Sequence, residues 1–174
     1  SSDCNARCPG CPRNAYGYPL EGFYNQAHFK PEKLSEILKK FPNVQSVLYC
    51  GNHGDPMMNP DIVQLCTNDK QISIATNGGI GKVDDYKRLA KTGAHIVFGI
   101  DGLEDTNHLY RQGVKWDNLM KRVATFISAG GQATWQFIRF KHNMSQVEQA
   151  ESLSKEMGFV NFFAMDVGRN NMPA

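Results

Sequence analysis

No stretch of this 174-residue chain is apolar enough to span a bilayer; the longest runs, such as Ile96-Val97-Phe98-Gly99-Ile100, are strand-sized where about 20 residues are needed. A charged-then-apolar signal segment is also missing from its opening residues, so the sequence predicts a cytoplasmic chain with no membrane partner. Neither charge dominates. The 19 Lys and Arg residues against 17 Asp and Glu give a net charge of +2, with no basic block to bind nucleic acid. The aromatic-basic stretch 135–141 reads as a core strand rather than a nucleic-acid surface. No G-x-G-x-x-G or P-loop follows a strand, which weakens a dinucleotide or Walker-type reading. Low-complexity segments and long linkers are absent, so residues 1–174 read as one domain.

Cysteines are few, and their number, five, is odd. Three fall within eight residues, Cys4-Asn5-Ala6-Arg7-Cys8-Pro9-Gly10-Cys11, where mutual disulfides would be strained. A reducing compartment with thiolates used as ligands fits better. Three thiolates around a small inorganic core leave a fourth coordination corner open to a substrate or cosubstrate, whereas four would close it. A structural zinc completed by His28, Cys50 or Cys66 stays open on spacing alone. Cys50 and Cys66 themselves, each in an apolar segment, read as buried small residues.

A strand-helix alternation fills the rest. Runs rich in Val, Ile, Phe and Tyr predict strands over 44–50, 72–76, 95–100, 133–140 and 160–165, of the kind covered on both faces. Helical periodicity predicts helices over 31–40 (Leu34, Ile37, Leu38 and Phe41 on one face), 117–128 and 145–157, with weaker ones over 61–68 and 83–91. Pro31 suits a first turn, Ser145 with Glu148 spells a capping box, and Gly93, Gly130 and Gly158 stand just past helix ends. This order demands a parallel sheet with right-handed crossovers. Five strands are too few for an eight-stranded barrel. A strand expected ahead of residue 1 makes six, an open arc of barrel. The opening Ser and the abrupt cysteine loop suggest a piece of a longer protein.

Polar motifs cluster where the strands end, which is where α/β folds build their sites. They are Gly51-Asn52-His53-Gly54-Asp55-Pro56, Thr76-Asn77-Gly78-Gly79, Asp101-Gly102 and Lys141-His142-Asn143. The cysteine loop occupies the equivalent place after the expected leading strand, so all can surround one pocket. His53, His95, His108 and His142 lack metal-ligand spacing, and only His53 is kept as a candidate substrate-side contact.

Together these motifs resemble the radical S-adenosylmethionine (SAM) superfamily. The resemblance rests on the C-x3-C-x2-C loop, Gly54-Asp55-Pro56 in the place of that family's Gly-Glu-Pro, Thr76-Asn77-Gly78 and Ile100-Asp101-Gly102, in matching order. Within the superfamily the strings CNARCPGCPR, YCGNHGDP and FGIDGLEDTNHLYRQG are most similar to proteins with a C-terminal twitch domain, a relative of SPASM; that domain is not seen in this sequence. The resemblance implies an α/β fold, a partial (β/α)6 TIM-like barrel. It implies a [4Fe-4S] cluster held by Cys4, Cys8 and Cys11, with S-adenosyl-L-methionine chelating the fourth iron. Reductive cleavage would give a 5'-deoxyadenosyl radical that abstracts hydrogen from an unknown substrate, a peptide by analogy, with electrons from a small flavodoxin- or ferredoxin-type donor. A non-catalytic iron-sulfur or zinc module is the alternative.

It further implies that Gly54, Asp55 and Pro56 receive the SAM ammonium, that Thr76 and Asn77 meet its ribose or carboxylate, and that Asp101 sits at the pocket rim. Two departures stand out. Gly99 replaces the serine of many relatives, losing a hydroxyl contact, and Gly10 replaces an aromatic that packs the adenine. On the fourth predicted strand alternation puts Gln136, Ile138 and Phe140 on one face and Phe137, Arg139 and Lys141 on the other. Gln136 is expected to face inward, because an amide is cheaper to bury than a guanidinium and can bond a ribose hydroxyl.

Overall fold

A computed structural model describes residues 2–15, 18–19 and 27–166. After a short antiparallel pair, β1 (Asn14–Ala15) and β2 (Tyr18–Pro19), comes helix α1 (Pro31–Lys40) and then five strands: β3 (Ser46–Tyr49), β4 (Gln71–Thr76), β5 (His95–Gly99), β6 (Gln132–Ile138) and β7 (Asn161–Met165). The five form one sheet in the order β3-β4-β5-β6-β7, every pair parallel. Helices α2 (Ile62–Leu65), α3 (Val83–Lys91), α4 (Asn107–Tyr110), α5 (Trp116–Ser128) and α6 (Val147–Met157) supply the crossovers. The result is an open, partial TIM-like barrel. Among the described residues no helix is long and apolar enough to cross a membrane.

The strand pleat divides the sheet chemically. One face sends Ile72, Ile74, Ile96, Phe98, Ala133, Trp135 and Phe137 into a core closed by Tyr86, Leu89, Leu119, Val123 and Phe126. Phe98 stacks on Tyr86 with centroids 6.1 Å apart and meets Phe126 edge-on at 6.2 Å, arrangements that add to the area these rings bury. The other face carries Ala75, Val97, Gly99, Gln136 and Ile138, and it lines a cavity. Gln136 thus faces inward, while Arg139 lies past the strand in an exposed pair with Asp166.

Gly93, Gly130 and Gly158 all hold positive φ at helix ends, the left-handed stop that glycine permits. The capping box does not form. Met144–Gln146 coils as a 3-10 turn, α6 starts after Gln146 and no side chain caps it. Gln146 is drawn away by the Thr106 hydroxyl, by Leu103 N at 3.1 Å and by Asp105 at 2.9 Å, which fixes the approach to the helix. The apolar face expected of α1 is only partly used. Leu34 is buried, but Phe41 is exposed. Edge strand β3 leaves Leu48 63% exposed. Cys50, just past β3, is exposed rather than buried as expected, while Cys66 behind it is buried.

Candidate active site

A cavity of about 570 Å³ opens at the C-terminal ends of the strands. Its lining includes Cys4, Cys8 and Cys11, the Gly51 to Asp55 turn, Thr76, Asn77, Gln136 and Arg111. The cysteine loop and the turns after β3 and β4 meet there as expected, whereas Asp101-Gly102 and Lys141-His142-Asn143 do not line the cavity.

The cysteine loop is stitched in place by backbone. Asp55 N donates to Asp3 O at 2.7 Å and Arg7 N to Gln112 O at 2.9 Å. Gly113, at φ +86, lets the chain pass so close that a Cβ there would lie 2.8 Å from Asn5 O. Within the loop Cys11 N donates to Cys8 O at 3.0 Å, a tight turn that keeps the third cysteine close to the second along the chain. Cys4 Sγ accepts from Ala6 N and from Asn77 Nδ2, both at 3.4 Å. Burial pushes the Cys4 thiol up, seconded by the Asp55 charge and opposed by the Ala6 N–H and Arg13. Burial raises Cys8 to about 11 against the pull of Arg111. Thiols so hard to ionise in the bare protein are stabilised as thiolates by bound metal. All three are free of disulfides. Among the described residues no three His, Cys, Asp or Glu side chains converge as ligands for a single ion. Cysteine is the ligand that iron-sulfur cores take, and the chemistry of three undisulfided cysteines lining one cavity fits such a core.

Asp55 lies deeper than the sequence suggests. Its carboxylate accepts from Met57 N (2.9 Å), the Thr76 hydroxyl (2.8 Å) and Asn77 N (2.9 Å), capping the 3-10 turn Pro56–Met58 and locking it to the end of β4. Burial raises its pKa, and those donors resist the rise. The Thr76 hydroxyl is fully used, since it also accepts from Gly78 N at 3.0 Å. Asn77 is likewise committed, donating to Asn5 Oδ1 at 3.0 Å as well as to Cys4 and accepting from Gly79 N at 2.7 Å. Pro56 faces a smaller cavity, beside Phe29 and Leu48. His53 lines the main one.

Asp101 is not at the rim. It is wholly buried, accepting from Ile138 N at 2.7 Å and from Arg111 Nε at 2.6 Å, while Asn143 ties its carbonyl to that of Ile138. The residue that reaches the cavity is Arg111, which the sequence reading passed over. Burial alone would lower its pKa, but Asp101 and the Cys8 thiol hold it above the ordinary arginine value, so it is a fixed cation. Gly99 makes room for it: a Cβ there would stand 2.5 Å from one guanidinium nitrogen. The space that a serine would fill is taken by Arg111. A signal existed in the short Leu-Tyr-Arg-Gln-Gly run after Asp101, yet nothing in the sequence alone aims that side chain.

Solved structures of other proteins share this architecture. SuiB of Streptococcus suis bound to its precursor peptide SuiA superposes with a TM-score of 0.77 at 19% identity over 97% of this chain and 38% of that one. SuiB bound to S-adenosylmethionine gives 0.76 at 19%, over 100% and 41%, and anSMEcpe with bound AdoMet gives 0.75 at 17%, over 95% and 47%. At these identities the likeness is one of fold, and the chain spans about two fifths of SuiB. No curated protein matches the sequence. The family model of the radical SAM superfamily, whose members use a [4Fe-4S] cluster and SAM, matches residues 1–153. With the three-cysteine loop, the strand-end turns and four of the five strands of the sheet inside that match, the chain belongs to the radical SAM superfamily.

Proposed function

We propose that this chain is the core of a radical SAM enzyme in which Cys4, Cys8 and Cys11 hold a [4Fe-4S] cluster and the cavity beside them takes S-adenosyl-L-methionine. One observation carries the reading: three cysteines without disulfides share a single cavity with the Arg111 guanidinium and the Gly51 to Gly54 turn. When bound, the pair supplies a 5'-deoxyadenosyl radical by one-electron cleavage of the sulfonium, which takes hydrogen from the substrate.

The chain's residues bind and orient. Arg111, held through Nε by Asp101, presents its remaining N–H groups to a carboxylate, a geometry suited to a bidentate pair. The Gly54 turn and the Asp55 carboxylate behind it suit an ammonium. Gln136, whose Nε2 reaches Met165 Sδ at 3.3 Å, keeps its carbonyl oxygen for a ribose hydroxyl. Thr76 and Asn77 act at one remove, Thr76 by holding Asp55 and Asn77 by holding Cys4. Val97 and Ile138 give the adenine an apolar wall in place of the aromatic absent at Gly10. Their apolar surfaces also keep water from a reactive intermediate.

The finer assignment is to the twitch or SPASM-related branch, with a peptide substrate, a flavodoxin- or ferredoxin-type donor and a cytoplasmic setting. Its support is the quoted sequence strings, the peptide-bound SuiB and anSMEcpe structures and the three free thiols of the loop. Anaerobic reconstitution tests the core claim. The chain should take up about four irons, and SAM should change the electron paramagnetic resonance (EPR) spectrum of the reduced cluster. Cys4→Ala, Cys8→Ala and Cys11→Ala should each lose the cluster, and Cys66→Ala should retain it. A colourless zinc-loaded fold, or a spectrum indifferent to SAM, would favour a non-catalytic metal module.

A further inference from the structure

Three loops meet on the outer side of the cysteine loop. Arg7 N donates to Gln112 O at 2.9 Å, and Gly113 crosses so close that a Cβ there would lie 2.8 Å from Asn5 O. A Cβ on Gly79 would touch both Asn5 and Val114, at 2.6 and 2.9 Å. Arg122 Nε closes the group by donating to Gly81 O at 2.9 Å. Ala6 and Cys8 line the cavity and are buried, whereas Arg7 between them is exposed and does not line it. The loop thus has a cavity side and a solvent side.

The solvent side is basic. Arg7, Lys82 and Lys115 are exposed, and none of them makes an ion pair among the described residues. Arg122 adds its charge, and the opposing carboxylates nearby in the chain are Asp84 and Asp117, in the first turns of α3 and α5. Lys82 and Lys115 are the N-cap residues of those two helices, and neither side chain caps. A cation is disfavoured there, and Ser, Asp or Asn is the usual choice. Lys30, which also begins a helix, is balanced by Asp61 at 2.8 Å; the two lysines beside the cysteine loop are not. The same local rule broken twice around one loop points to a use beyond the helices themselves.

We propose that Arg7, Lys82 and Lys115 form the docking surface for a small acidic one-electron carrier protein, which delivers its electron across the cysteine loop. The inference rests on the function proposed above and deepens it. With SAM in the cavity, a protein donor has to approach the cluster from the solvent side of the loop. No bond forms or breaks in the step. The carrier's reduced centre, a flavin hydroquinone in a flavodoxin, gives up one electron and becomes the semiquinone, and the oxidised cluster takes that electron up. Electron-transfer encounters bury little surface. Their rates are therefore governed by complementary charge and fall with salt, which suits a patch of exposed, unpaired cations.

The experiment compares wild type with the double variant Lys82→Glu, Lys115→Glu, using an acidic flavodoxin as the probe. Glu at a helix start suits the dipole, so the variant should fold. In stopped flow at low salt, photoreduced flavodoxin should reduce the reconstituted variant about tenfold more slowly than wild type. The difference should close near 1 M salt, where the screening length falls to about 3 Å. Photoreduced 5-deazariboflavin, a small uncharged donor, should reduce both alike. Without iron, the wild-type chain should bind oxidised flavodoxin at low salt in surface plasmon resonance, and the variant about tenfold more weakly. Equal rates with flavodoxin, equal binding, or no binding by wild type overturns the proposal. A slowdown shared by 5-deazariboflavin also overturns it, since the substitutions would then have disturbed the cluster. So does an unchanged flavodoxin rate with lost retention on phosphatidylserine vesicles, which would assign the patch to a lipid surface. A wild-type chain that takes up no iron defeats the proposed function itself, while the binding measurement still judges the surface.

Discussion

Asp55 and Asp101 stand just beyond β3 and β5, both shut away from water, and the chain balances them in opposite ways. Asp55 is surrounded by dipoles, namely two backbone N–H groups and a hydroxyl. Asp101 has a backbone N–H on one oxygen and a full countercharge, Arg111, on the other. A buried carboxylate held only by dipoles remains open to a cation, whereas one already paired can only relay its partner's position. The Asp55 end of the cavity accordingly suits a positive group, and the Asp101 end offers Arg111 to a negative one. One amino-acid type, placed at two strand ends, polarises the pocket.

Asp101→Asn should break this contrast most severely, because it leaves the Arg111 guanidinium buried without its anion. The expected loss is about 3–5 kcal/mol. For a chain of this size that lowers the thermal midpoint by about 6–20 °C, readable by circular dichroism. Gly99→Ala comes next. The new methyl must push the guanidinium aside, at a cost of about 1–3 kcal/mol. The Asp101→Asn, Gly99→Ala double variant should lose less than the sum, since both changes displace the same side chain. Simple additivity in chemical denaturation would show that Gly99 does not act through Arg111.

Asp55→Asn should have the smallest effect and sharpen the comparison through pH. The carboxyl's folded pKa is raised by burial above its ordinary 3.8, so the folded state holds the proton more tightly than the unfolded chain. Through that group, stability is greatest below pH 3.8 and declines as pH climbs to the folded pKa. The stability difference between wild type and Asp55→Asn should therefore shrink or change sign as pH rises from about 4. A difference that grows with pH would mean that the dipoles outweigh burial.

The sheet was readable because its strands are β-branched and aromatic runs between glycine stops, and periodicity reports burial directly. Gly93, Gly130 and Gly158 mark helix ends by the same local logic. Gln136 could be placed by the cost of burying a charge, an argument that needs only the strand's alternation. Reading failed where a side chain's direction is set by distant contacts. Arg111 is aimed by Asp101 and by the gap at Gly99, the expected Ser145–Glu148 box gives way to a turn in which Gln146 is held by Thr106 and Leu103, and Cys50 is exposed because β3 is an edge. Asp55, Thr76 and Asn77 were identified as residues of the site. Their hydrogen bonds to one another and to Cys4 depend on three loops meeting, which no single segment encodes.

The stitches that hold the cysteine loop, Asp3 to Asp55, Arg7 to Gln112 and Asn5 against Gly113, bear on the order of maturation. They join the beginning of the chain to turns that exist only once several crossovers have closed. The shape of this loop is thus a product of the finished sheet, in contrast to small zinc domains that fold around their ion. On the function proposed above, iron would be delivered to a polypeptide already in shape, with the conformational entropy of ordering the loop spent before it arrives.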